Sequence, residues 1–143
     1  MNVKLNSFST LSLAGFLLAG MGLYFIFFRP ALLPEDLKYM GTSLQNVQDN
    51  IPGLLQWLQK LFWVMGGYIF TTGLLIIFIA LTAFRSREPG AFFVTALAGI
   101  TSIGLMTAVN FIISSDFKWG LFVFTLIWLT ALILYRGWQI KTK

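Results

Sequence analysis

The chain has no cysteine and no histidine among its 143 residues. Without cysteine there can be no disulfide, thiol relay, iron–sulfur cluster or zinc–thiolate site. Without histidine the common haem ligand and the usual general base at neutral pH are missing. Any catalysis would have to draw on five acids, ten bases, tyrosines and hydroxyls. Charge is also scarce. Only 10% of residues are charged, against about 25% in a typical soluble domain. No Gly-rich phosphate loop, Glu-x-x-His pair or nucleophile elbow occurs, and no basic stripe interleaved with aromatics speaks for nucleic acid.

What fills the chain instead is apolar. Hydrophobic residues make up 57% of it and the mean hydropathy is +0.80, so most of the surface must face lipid. Aromatics reach 17%, with 15 Phe, which suits packing and interfacial anchoring. Four apolar runs are long enough to span a membrane, at about residues 11–28, 61–84, 91–113 and 119–135. The expected architecture is all-α: a single four-span membrane domain over 1–143, a transmembrane four-helix bundle. The first run follows Lys4 but ends in Tyr24-Phe25-Ile26-Phe27-Phe28-Arg29 and not in a small-residue cleavage site, so it reads as an uncleaved span.

Small residues recur at helical spacing within these runs. Ser12, Gly15, Ala19 and Gly22 form one stripe, and Gly66, Gly73 and Ala80 another. Such stripes let helix backbones approach closely in lipid.

The stretch from Arg29 to Lys60 cannot sit in a membrane, and carries Glu35, Asp36 and Asp49. Leu37, Met40, Leu44, Val47 and Ile51 draw one apolar stripe, expected on a single helix that Gly41 weakens without breaking. Pro34 suits the first turn, followed by acids at the positive helix end. Asp49-Asn50 and Pro52-Gly53 mark a stop and restart. A second stripe, Leu54, Leu55, Leu58, Leu61 and Phe62, runs into the second span, with Gly66-Gly67 the place for any bend. Together these predict an outer amphipathic cap over 30–60, burying Leu37, Leu44, Trp57 and Leu58 on the bundle.

Charge predicts orientation. With four spans, Lys4, Arg85, Arg87, Arg136, Lys141 and Lys143 share one side with a single acid, Glu88. The other side balances Arg29, Lys38, Lys60 and Lys118 against Glu35, Asp36, Asp49 and Asp116. The positive-inside rule then places both termini in the cytoplasm and the cap outside.

Two polar groups are candidates for ligand binding. Asn110, Ser114, Ser115, Asp116, Lys118 and Trp119 lie at the end of the third span and the turn beyond it. They could floor a small pocket beneath the cap, or serve as an interhelical tether and a solvated turn. Tyr68, Thr71 and Thr72 on the second span face the same question with Thr101, Ser102 and Thr107 on the third, since hydroxyls in spans commonly bond back to their own helix. Asn110, Asp116, Trp119 and Tyr68 are the expected ligand-binding residues. Neither a cofactor nor a metal is expected, because nothing near Glu35-Asp36 completes a ligand set.

Four features give the chain a recognisable layout: Gly20-Met-Gly-Leu-Tyr-Phe-Ile-Phe-Phe-Arg-Pro30, Val64-Met-Gly-Gly-Tyr68, the basic turn, and Gly-Ile-Thr-Ser-Ile-Gly104. This layout resembles the small bacterial four-helix membrane proteins of the DoxX-like group. It implies a compact bundle in the bacterial inner membrane, in a group where some members are accessory subunits of membrane redox systems. The expected role is accordingly a non-enzymatic accessory subunit, or a binder of a lipid-like or quinone-like small molecule under the cap. Membrane lipid is an expected partner, with a further membrane subunit or a second copy of the chain beside it. The alternative is a small channel or transporter working as a homo-oligomer.

Overall fold

The computed structural model describes residues 6–141, with side chains through Gly137. Lys4 and Lys143 of the basic side lie outside that range. Among the described residues all regular structure is helical. The helices are α1 (Ser7–Phe27), α2 (Pro34–Met40), α3 (Leu44–Asn50), α4 (Leu54–Ile79), α5 (Ala91–Gly99), α6 (Leu105–Ile112) and α7 (Lys118–Lys141). A π-helical turn, Ala80–Phe84, extends α4, and another, Ile100–Gly104, joins α5 to α6. Four segments are long and apolar enough to cross a membrane: Ser7–Phe27, Leu54–Phe84, Ala91–Ile112 and Lys118–Gly137.

The N-terminal hydroxyls do not cap α1. The helix begins at Ser7, and Thr10 donates its hydroxyl back to the Asn6 carbonyl at 3.1 Å. The expected single helix around Gly41 is in fact two. Gly41 takes φ +66°, and Thr42 N–H reaches back to the Leu37 carbonyl at 3.1 Å, which closes α2 in the left-handed manner glycine favours. Ser43 then caps α3 by accepting from the Asn46 N–H at 3.2 Å. Gly66-Gly67, by contrast, sits inside an unbroken α4. With its π turn this helix has 31 residues, about 46 Å at 1.5 Å per residue, longer than a hydrocarbon core of about 30 Å. Lys60 lies 3.7 Å from the Trp63 ring centroid there, a basic-aromatic pair of interfacial kind.

α1 is the central helix, packed along α4 on one side and α7 on the other, while α7 also carries α5 and α6. The α1–α4 seam is built from the two small-residue stripes. Gly73 lies against the Ala19 backbone, and Gly22 against Phe70 and Gly66. The core concentrates near the Arg85–Gly90 turn. Leu11, Leu18, Ile76, Ala80, Phe84, Ile103, Trp128 and Tyr135 are buried in one cluster there. Phe84 and Tyr135 stack with ring centroids 4.3 Å apart. Trp128 inserts its indole against Gly99 and donates its N–H to the Thr95 carbonyl at 3.1 Å.

Away from that turn the bundle opens. α4 and α6 barely touch, because α1 and α7 stand between them. The connecting helices do not close over this end as the stripes suggested. Leu44 and Trp57, two of the four side chains expected to be buried, remain 43% and 60% exposed. α3 buries only Val47, and α2 buries nothing fully. What α2 does contribute is its first turn, which reaches the mouth of the opening.

Candidate functional site

The opening is a cleft of about 1100 Å³. Small-molecule pockets commonly hold about 300–1,000 Å³, so this one can take a ligand of lipid size. Its long walls are apolar. Leu17, Leu18 and Met21 come from α1, Met65 and Ile69 from α4, Leu105, Met106 and Val109 from α6, and Leu121, Phe124 and Ile127 from α7. Gly20 and Gly120 leave the walls unobstructed, since a Cβ added at either meets nothing within 4 Å. The π turn brings Thr101 and Ser102 to the same wall. π turns often mark functional positions.

The polar end is assembled from three distant parts of the chain. Arg29 follows the last turn of α1 and its side chain is only 13% exposed. Its guanidinium lies 3.6 Å from the Phe62 ring centroid and 5.2 Å from that of Phe25. A cation over aromatic faces is stabilised by their quadrupoles, more so when desolvated. Asp36 pairs with it at 3.5 Å and also accepts the Leu33 N–H at 2.9 Å, which secures the start of α2. Burial lowers the Arg29 pKa from its ordinary value, and Asp36 pulls it back up. Arginine stays protonated under such a shift.

Glu35, beside Asp36, faces the other way. Ser115, 2% exposed, donates its hydroxyl to Glu35 Oε1 at 3.0 Å. The same Ser115 oxygen accepts the Phe117 N–H at 3.2 Å, just ahead of α7. Glu35 therefore sits at the amino end of a long helix, where the macrodipole favours a negative group. Ser114 makes this possible by adopting φ +55°, which turns the chain sharply between α6 and α7. Ser115 N–H also bonds to the Asn110 carbonyl at 2.9 Å, which places Asn110 one turn below.

Of the expected ligand residues, Asn110 and Tyr68 line the cleft. Asn110 donates its amide to the Met106 carbonyl of its own helix at 2.9 Å and does not tether a neighbouring helix. Tyr68 stands at the rim, 73% exposed. Asp116 and Trp119 are not in the lining. Asp116 is exposed, and Trp119 packs edge-on against Phe111 and Phe122 on the outer face. Thr72 and Thr101 bond back to their own helices at 2.8 and 2.9 Å, and Ser102 does the same. Thr107 is different. It donates across to the Leu121 carbonyl at 3.1 Å and lies 2.8 Å from Thr125 Oγ1, tying α6 to α7 behind the cleft.

No family model, curated protein or solved structure matches this chain. The site is therefore read from its own chemistry. Sequence reasoning included Ser115 among the candidate floor residues but did not place Arg29 or Glu35 in the site. The available signal was a basic residue at the end of a span, followed within seven positions by two acids and a helix-starting proline. No group of His, Cys, Asp and Glu that could hold a metal occurs among the described residues. Walls of this kind can hold an apolar chain and orient its polar end.

Proposed function

We propose that this chain is a multi-pass protein of the bacterial inner membrane that binds one lipid-like or quinone-like amphiphile in the cleft, as a non-enzymatic binder or accessory subunit. The observation that carries this reading is a roomy apolar cleft with every charged lining group gathered at one end. An amphiphile has the same division along its length. α4 and α6 both line the cleft and barely touch, which leaves a gap through which a molecule could enter sideways from lipid without crossing water. In this reading α2 acts as an outer cap at the mouth only, through Glu35 and Asp36, and a DoxX-like bundle supplies the walls. A redox partner subunit would be served by such a binder if the amphiphile is a quinone.

Filling the cleft tests the reading. Gly20→Phe and Gly120→Phe place rings in open space, so the fold should survive. Purified wild type should retain a co-extracted amphiphile, read by mass spectrometry of the organic extract. Each variant should retain at least about tenfold less, since blocking the walls removes well over 1.4 kcal/mol of contacts. Equal retention in both variants would show that the molecule adheres to the outer, lipid-facing surface.

The orientation belongs to the same proposal, with the Arg85–Gly90 turn in the cytoplasm, and six bases against one acid on that side support it. Ser86 and Ser43 are both exposed, and the chain has no cysteine of its own. A cysteine at Ser43 should react with an impermeant thiol reagent on intact cells, and one at Ser86 only after permeabilisation. The reverse pattern refutes the orientation.

A further inference from the structure

We infer that the cleft selects an amphiphile with a net positive head, a protonated amine, and that Glu35 is the group that pairs with it. This assignment rests on the cleft being the ligand site. Among the described residues the charged lining groups are Arg29, Glu35 and Asp36. Arg29 and Asp36 neutralise each other at 3.5 Å, and both have further contacts that hold them there. Glu35 is left over. Among the described residues no lysine or arginine lies within ion-pair distance of it. Its one hydrogen bond comes from the buried Ser115 hydroxyl, on Oε1, which fixes the carboxylate and leaves Oε2 to accept from elsewhere.

The polar end therefore carries a net charge of −1 at the end of an apolar cleft. An anionic head would face two carboxylates against one guanidinium that Phe62 and Asp36 already engage. A zwitterionic phosphoethanolamine head would bring its phosphate to the same place. A head that is cationic overall meets no such penalty. Asn110 adds to this preference. One N–H of its amide is used within α6, and its side-chain oxygen stays available to accept from an ammonium, which offers donors only. Charge-assisted hydrogen bonds of this kind are roughly twice as strong as neutral ones.

The absence of native cysteine gives a direct assay. A single cysteine at Ser102, on the cleft wall, should be alkylated by a maleimide at a rate that falls as the cleft fills. The full-length chain in phosphatidylcholine nanodiscs would be titrated separately with dodecylamine, dodecanol and dodecanoate, which share one chain length. A cysteine at Leu97, outside the lining, corrects for simple partitioning into the bilayer. Dodecylamine should protect Ser102→Cys at concentrations at least about tenfold below the other two, a difference of 1.4 kcal/mol. Adding Glu35→Gln should erase that preference while protection by dodecanol stays unchanged. Adding Glu88→Gln, at the opposite end, should change nothing. Equal protection by all three amphiphiles, or stronger protection by dodecanoate, overturns the amine assignment and leaves the cleft as a ligand site. Stronger protection in phosphatidylethanolamine nanodiscs than dodecylamine gives also overturns it, in favour of a zwitterionic lipid head. Protection by none of them overturns the ligand cleft itself. The comparison of head groups on Ser102→Cys alone decides the matter even if Glu35→Gln fails to fold.

Discussion

Replacing Trp128 with alanine should destabilise the protein in mild detergent by about 3–5 kcal/mol, as for other large-to-Ala core changes. Trp128 is 2% exposed and is the largest fully buried side chain of the described residues. It fills the space that Gly99 leaves open, with indole atoms where a Cβ on that glycine would stand. Its loss empties the centre of the packed half and removes the N–H that the Thr95 carbonyl accepts. Trp128→Phe separates the two contributions. It keeps most of the volume and loses the hydrogen bond, which in membrane proteins averages about 0.6 kcal/mol. Thermal unfolding of both variants should therefore differ widely. Similar losses for Phe and Ala would mean that the hydrogen bond, and not the volume, is what Trp128 contributes.

Gly73→Leu should cost about 3 kcal/mol, at the upper end of overpacking. A Cβ on Gly73 would fall 2.4 Å from the Ala19 nitrogen and 2.8 Å from the Gly15 carbonyl oxygen. Backbone atoms of a neighbouring helix cannot turn aside as a flexible side chain can, so α1 and α4 would have to separate. Gly66 is nearly as tight, 2.8 Å from the Gly22 carbonyl oxygen. Its neighbour Gly67 meets nothing within 4 Å. This gives an internal control with the opposite sign. Gly67→Ala should be neutral or stabilising by up to about 1 kcal/mol, because alanine is the better helix former. Gly66→Ala should be destabilising. A Gly73→Leu variant that melts at the wild-type temperature would mean that the small-residue stripe of α4 faces lipid.

The seam between α1 and α4 was legible because it repeats. Ser12, Gly15, Ala19 and Gly22 recur three or four apart, and a membrane helix has few other reasons to align small residues. The lengths of the four apolar runs were legible for a similar reason, since hydrocarbon thickness dictates them. Trp128 was harder. Tryptophan in spans usually marks an interface, and only its position in the middle of the fourth run hinted at an internal partner for its N–H. The polar end of the cleft was not legible. Ser115 and Glu35 are 80 positions apart, and their contact depends on the left-handed turn at Ser114. Periodicity has no access to such a contact. Arg29 read as a helix stop and Glu35-Asp36 as helix-end charges. Both roles hold locally, and the site uses the same side chains again. Gly41 was underestimated for the opposite reason. The apolar stripe around it is continuous, but the backbone is not, and a stripe records only side chains.

The central claim is that one amphiphile occupies the cleft between α4 and α6. Native mass spectrometry of the wild-type chain released from mild detergent tests it most directly. The account expects each chain to carry one discrete adduct that persists at energies that strip detergent, whatever the number of chains in the particle. A bare chain under those conditions, in a closed ring that conducts ions in proteoliposomes, would contradict it and make the protein a channel.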